Sequence, residues 1–347
     1  MPELVDVTPP GDDDEVLDDL VPARVEAARD AAPPARMAEL EAKIARAVQR
    51  SRAEATLRAY RSDWADFAAW CDQVGFDPLP ATPATVAAYV AELADPPDDR
   101  PARAVSTIER RLAAIGEGHK VAGHPNPAAD GLVRETMKGI RRMLGVAPQR
   151  KKGLSTEDLR AVTTSLGDRP IDVRDRAILL VGFAGGFRRS ELAGLDIDDL
   201  EAHPAGLLVR LRGTKTDQER AGRKVEVVYG TDTATCPVRA ARRWAAMVSA
   251  TGPWLRGVDR HGNISPSRLS AQAIGMVVKR HMARLGYDTR EFAGHSLRRG
   301  MATTAARNGA AERTIMRTTG HTATDTLRSY ITEAEEFTDP ASGYLGL

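Results

Sequence analysis

The sequence predicts a mainly α protein of two domains, with a small antiparallel β-sheet in the second. Three observations predict it. From Met37 to about Leu144, apolar residues recur at three- and four-residue steps, with no strand pattern and no internal repeat. Lys138–Lys152 (KGIRRMLGVAPQRKK) then carries six basic residues and no acidic one through a proline-containing link. Beyond it, two short β-rich runs, Leu207–Arg212 and Lys224–Tyr229, interrupt an otherwise helical pattern. A chain of 347 residues has room for two domains and a substantial core.

The formal net charge of +1 hides a strong asymmetry. Residues 1–35 hold ten Asp and Glu against two Arg, so the remaining residues carry +9. This acidic, proline-rich head reads as a disordered segment. It lacks the basic n-region and apolar h-region of a signal peptide, and no apolar stretch approaches a membrane span. Cys71 and Cys236 form no CxxC pair, which fits a reducing cytoplasm and not a zinc site. The expectation is a cytoplasmic, prokaryotic or phage-encoded protein.

Within the first domain, residues 36–147, Leu57, Tyr60, Trp64, Phe67 and Cys71 form one apolar stripe of an amphipathic helix, read as core. Arg58 and Arg61 lie off that stripe, on a side that faces DNA or solvent. Thr82-Pro83 starts the next helix, with Thr as N-cap and Pro at the first position. Helices follow at roughly 104–116 and 129–144. The basic run ends in a linker at 148–152; such a run is usually a solvated surface, but at a domain boundary it can also track a phosphate backbone.

The second domain, 153–332, opens on a capping signal at Ser155–Asp158. A buried helix spans about Asp172–Ala184 and stops at Gly185-Gly186. Arg188 follows that break, with Glu191 three residues on: a surface ion pair, or a phosphate-binding Arg held by its carboxylate neighbour. The two β-rich runs form a hairpin with Lys215 near the end of its first strand. Pro237–Ser249 and Ser267–Leu285 are further helices around a loop at Arg256–Pro266, and Trp244 packs.

The C-terminal stretch Gly294–Tyr330 gathers the most chemistry. His295 and Arg298 are three apart, the spacing that shares a helix face. An Ala-rich helix through Arg307 breaks at Asn308-Gly309, a second helix ends at Gly320-His321, and a third carries Tyr330. Arg suits bidentate phosphate binding, a Tyr hydroxyl can attack phosphorus, and a nearby His can take its proton or bond the phosphate. Singly, each of these residues is more often core or surface. Together with an upstream Arg and a Lys able to protonate a leaving oxygen, they form a coherent set.

Gly186-Phe187-Arg188-Arg189-Ser190-Glu191, Arg212-Gly213-Thr214-Lys215-Thr216, His295-Ser296-Leu297-Arg298, Gly320-His321 and Tyr330 resemble the tyrosine recombinase (phage integrase) family, and within it the Cre-type members most. The likeness covers about residues 40–335. It implies a site-specific DNA recombinase that cleaves and rejoins DNA through a 3′-phosphotyrosine and a Holliday junction, without metal or ATP. Arg188 and Arg298 would clamp the scissile phosphate, Glu191 would support them, and Tyr330 would be the nucleophile. Lys215 would protonate the 5′-oxygen, His295 would be the general base, and His321 would hydrogen-bond the phosphate. Arg189 is the neighbouring alternative to Arg188, disfavoured by the Gly-x-Arg-x-Ser-Glu register.

The resemblance further implies a helical core-binding domain and a catalytic domain closing as a C-shaped clamp on double-stranded DNA with short inverted-repeat core sites. The working form would be a homotetramer on two sites, monomeric when free, with the tail 333–347 docking on a neighbour. Candidate DNA contacts are Arg58, Arg61, Lys138, Arg141, Arg142, Arg150, Lys151 and Lys152. Two other functions stay open on the sequence: type IB topoisomerase-like relaxation, and non-catalytic DNA binding.

Overall fold

The computed structural model describes residues 40, 43, 54–97, 100–146, 151–212 and 222–320. The acidic head, Arg150, Lys215, His321, Tyr330 and the tail lie outside the described residues. The chain divides into two compact units, residues 1–147 and 148–347. No helix among the described residues is long and apolar enough to cross a membrane.

The first unit is helical throughout its described residues: α1 (Glu54–Val74), α2 (Pro83–Ala94), α3 (Val105–Val121) and α4 (Gly131–Leu144). Phe67 and Cys71 of the α1 stripe are fully buried against Val86, Tyr89 and Val90 of α2 and Ile108 and Ile115 of α3. Thr82 caps α2 as its sequence predicts, its hydroxyl accepting the Thr85 N–H at 3.1 Å with Pro83 in the first turn. The α3 helix runs past the expected end because its last turn buries His119. That imidazole accepts the Ala81 N–H at Nε2 (2.8 Å), so Nδ1 donates to the Ile115 carbonyl (2.8 Å). His119 therefore fastens the loop before α2 to α3 as a neutral side chain.

The second unit is built around α6 (Pro170–Ala184), preceded by α5 (Thr156–Ser165). Ser155 and Asp158 form the expected capping box at the start of α5. One side of α6 (Val173, Ala177, Ile178, Val181) packs into a core with the sheet and Trp244. Leu179 points to a second core made by Leu159, Val162, Val278, Met282 and Leu297. A helix covered on both sides must be apolar all round, which is why AILLVGFA shows no polar face.

After the short α7 (Arg189–Gly194), three antiparallel strands follow: β1 (Leu200–His203), β2 (Gly206–Leu211) and β3 (Arg223–Val228), in the order β1-β2-β3. Val225 and Val227 of β3 point into the core and alternate with outward Lys224, Glu226 and Val228. That alternation fixes the register Leu211↔Arg223 through Gly206↔Val228, because a one-residue slip would expose both valines. Then come α8 (Pro237–Ala245), β4 (Arg256–Val258), β5 (Ile264–Arg268), α9 (Ala271–Arg284), α10 (Ser296–Arg307) and α11 (Glu312–Thr319). Trp244 is wholly buried and donates its indole N–H to the Trp254 carbonyl at 2.7 Å, in keeping with a packing role.

Two expectations need correction. Arg256–Pro266 is not a plain loop but most of a β4–β5 hairpin, whose turn is held by Asp259 accepting the N–H groups of His261 and Asn263. In consequence α9 starts at Ala271, with Ser270 as its N-cap, and not at Ser267. Strands this short, one containing Gly257 and the other Pro266, carry no apolar alternation to read.

Asp175 lies at the α6–α9 interface, 1% exposed, and binds His281 (2.8 Å), Arg174 (2.8 Å) and Arg280. Burial alone would raise its carboxyl; the hydrogen bonds from His281 and Arg174 and the Arg280 charge outweigh it and hold Asp175 below the ordinary range. Asp175→Ala leaves the interior Arg174 guanidinium without this carboxylate and is expected to cost about 3–5 kcal/mol, read as a lower urea midpoint. A depressed carboxylate contributes above its unfolded value of about 3.9, so the wild-type advantage fades as pH falls through the lower folded value.

Candidate functional site

The α6 helix ends where Gly186 adopts φ +56°, a left-handed conformation that turns the chain sharply into Phe187-Arg188. A side chain there would also strike the Met301 methyl of α10, since a Cβ would lie 2.3 Å from Cε. The turn leaves Arg188 as the residue before α7. Glu191, in the first turn of α7, accepts the Arg188 backbone N–H at Oε2 (2.9 Å) and the Arg188 guanidinium at Oε1 (2.6 Å). Its side chain is 3% exposed and that of Arg188 16%, so this is an interior ion pair and not a surface one.

Arg298, in the first turn of α10, is entirely buried. Its Nη1 donates to the carbonyls of Gly186 (2.9 Å) and Thr319. A third guanidinium, which sequence reasoning missed, completes the group. Arg223 opens β3, donates from Nη2 to Glu191 Oε2 (3.2 Å) and from Nη1 to the Thr318 carbonyl, and is 17% exposed. Arg188 Nη2 in turn reaches the Gly320 carbonyl at 3.4 Å. Thr318, Thr319 and Gly320 thus each give their carbonyl to a different arginine. These are C-terminal carbonyls of α11, which lack helical partners and sit at the negative end of the helix dipole.

His295 immediately precedes α10, its backbone already helical, and is exposed. Partial desolvation, then the charges of Arg298, Arg188, Arg189 and Arg299, push its pKa below the ordinary imidazole value. Arg189 lies outside the Glu191 pair: its stem crosses Gly294, where a Cβ would sit 2.2 Å from Arg189 Cγ. Arg188 and Arg189, adjacent in sequence, therefore face different surroundings.

The neutral form of His295 is favoured in the fold, so its share of stability is present above about pH 6.5 and is lost as pH falls through the lower folded value. A histidine-resolved NMR titration is expected to give a midpoint below that of an unstructured imidazole. Arg189→Gln, which removes one repelling charge, should move the midpoint up.

The structure places the remaining basic candidates as follows. Lys151 Nζ donates to the Arg290 carbonyl (2.6 Å), and Lys152 pairs with Glu291 (2.9 Å), tying residues 151–152 to the second unit. Lys138 lies 3.5 Å from Glu135, and Arg141 pairs with Glu109 at 2.7 Å. Arg58, Arg61 and Arg142 are exposed. Described residues around the site thus concentrate guanidiniums about one carboxylate, an excess of positive charge suited to an anion with several oxygens.

Comparison with known proteins agrees with this chemistry. The model of the Phage integrase family matches residues 152–336. An integrase/recombinase XerD homolog of Selenomonas ruminantium is 36% identical over 87% of this chain and 88% of its own length. Tyrosine recombinase XerD of Bifidobacterium longum is 30% identical over 82% and 88%, and recombinase Cre of Escherichia phage P1 is 28% identical over 76% and 80%. Among solved structures, XerH recombinase on its palindromic difH substrate aligns with TM-score 0.54 at 16% identity, covering 76% of this chain and 72% of that one. A lambda integrase dimer on a core site aligns with TM-score 0.53 at 13% identity, covering 84% and 93%. The family match covers more than half of the chain and includes Arg188, Glu191 and Arg298, as the geometry calls for: the chain belongs to the phage integrase family, the tyrosine recombinases that carry out site-specific DNA recombination.

Proposed function

We propose that this recombinase acts on double-stranded DNA by transesterification, with Tyr330 as nucleophile. The Tyr330 oxygen bonds to phosphorus as the P–O5′ bond breaks, giving a 3′-phosphotyrosine and a free 5′-hydroxyl. His295 takes the tyrosine proton, and Lys215 supplies one to the departing 5′-oxygen. Arg188 and Arg298 hold the non-bridging oxygens, Glu191 orients Arg188, and His321 hydrogen-bonds the phosphate. The reverse attack by a partner strand's 5′-hydroxyl rejoins the backbone. Bond energy is kept in the phosphotyrosine, so rejoining draws on no nucleotide hydrolysis.

The observation that carries this is the convergence of Arg188 and Arg298 on the end of α11, one residue before His321 and ten before Tyr330. Two guanidiniums on adjacent carbonyls of one helix end supply donors for the oxygens of one phosphate. The depressed pKa of His295 fits a base that is neutral at working pH.

XerH and lambda integrase were captured on DNA, and we extend that partner to this chain. In this reading residues 36–147 form the core-binding domain and 153–332 the catalytic domain. A homotetramer assembles on two inverted-repeat sites, with 333–347 docking on a neighbour. Arg58, Arg61, Lys138, Arg141, Arg142, Arg150, Lys151 and Lys152 contribute phosphate contacts, with Lys152 exchanging Glu291 for backbone oxygens.

A plasmid bearing two copies of the DNA flanking this gene, incubated with the protein, tests the proposal. Excised or inverted product joined at a fixed position is expected. Relaxation of plasmids lacking any such site, with no recombinant product, would instead assign the chemistry to a topoisomerase.

A further inference from the structure

We infer that Arg223 is a positioning residue of the phosphate clamp, acting through Glu191 to hold Arg188 in place. The inference rests on the clamp reading of Arg188 proposed above. Glu191 has two oxygens and two guanidinium partners: Arg188 Nη1 takes Oε1 at 2.6 Å, and Arg223 Nη2 takes Oε2 at 3.2 Å. Oε2 also accepts the Arg188 backbone N–H, so the carboxylate is fixed at both ends and presents one oxygen to the Arg188 side chain. Without Arg223, Oε2 keeps only the backbone N–H, and the carboxylate gains freedom to rotate away from the geometry that orients Arg188.

Arg223 also does what neither clamp arginine does: it links the strand hairpin to the end of α11. It is the first residue of β3, paired across the sheet with Leu211, and its other guanidinium nitrogen binds the Thr318 carbonyl. Its stem fills the space beside Gly320, where φ is +66° and a Cβ would lie 2.8 Å from Arg223 Nε. Gly320 is thus doubly constrained, by its left-handed backbone and by the arginine against it. An approaching phosphate draws Arg188 and Arg298 off the Gly320 and Thr319 carbonyls. Arg223, turned to Glu191 and Thr318, stays behind to hold that end of the helix.

The test compares Arg223→Ala, Arg223→Lys and Arg188→Ala on a nicked duplex that traps the wild-type adduct. Each duplex is made twice, with a phosphodiester or a methylphosphonate at the scissile position. The phosphonate lacks the charge a guanidinium neutralises, so a protein deficient in the clamp loses less on it. On the phosphodiester, Arg223→Ala is expected to slow adduct formation about 10- to 100-fold, the scale of removing an outer partner of a primary ligand, with DNA affinity retained. On the methylphosphonate its deficit should shrink alongside that of Arg188→Ala, and Arg223→Lys should recover part of the rate on the phosphodiester.

An equal Arg223→Ala deficit on both substrates, while Arg188→Ala is relieved, would overturn the inference and leave Arg223 a purely structural role. No relief for Arg188→Ala would overturn the clamp reading, and this inference with it. Should Arg223→Ala fail to fold by thermal unfolding, Arg223→Met, which keeps the apolar stem beside Gly320, takes its place.

Discussion

Tyr330→Phe is expected to abolish the covalent protein–DNA adduct while leaving DNA binding within about twofold of wild type, since the loss of one hydroxyl with the ring kept is a small structural change. The chemical effect is large because no other group replaces the attacking oxygen; losing a nucleophile costs a factor of about 10⁶ in enzymes whose catalytic groups act as a unit. The measurement is an adduct trapped on a denaturing gel, using DNA that flanks the gene or a nicked suicide duplex drawn from a random-sequence library. Tyr344→Phe is the paired control. Tyr344 lies 23 residues beyond His321 where Tyr330 lies nine, so the mutant should keep its adduct. An adduct that survives in Tyr330→Phe and vanishes in Tyr344→Phe would make Tyr344 the nucleophile.

Local chemistry made part of this protein legible from sequence. The caps at Thr82 and Ser155 were readable because capping joins residues three apart, and the structure makes both bonds. The buried α6 and the β2–β3 pair were readable from apolar runs of the right length. The β1 strand and the β4–β5 hairpin were not, because their pairing is set by what they pack against and not by their own alternation. The site divides the same way. Arg188 and Glu191 are three residues apart and showed themselves as a pair. Arg223 lies 32 residues from Glu191 and 95 from Thr318, and only the fold brings the start of β3, the first turn of α7 and the end of α11 together. An arginine at the start of a strand otherwise looks like a solvated end.

Arg188→Ala is expected to lower the rate of adduct formation by about 10²- to 10³-fold, the cost of removing one preorganised donor from a developing oxyanion. Its folding cost should be smaller than the usual one for breaking an interior pair, because Glu191 is not left alone. Arg223 remains bonded to Oε2, so the carboxylate keeps a charged partner. The loss should therefore fall on chemistry, with the thermal midpoint little changed. Glu191→Gln removes the opposite half: Arg188 loses the charge that aims it, and Arg223 loses its charged partner while keeping the Thr318 carbonyl. If Glu191 works by aiming Arg188, the double mutant should be no slower than Arg188→Ala alone, because the carboxylate has nothing left to position. If the two deficits multiply, Glu191 acts on the reaction by a second route, through its remaining bonds to the Arg188 backbone N–H and to Arg223.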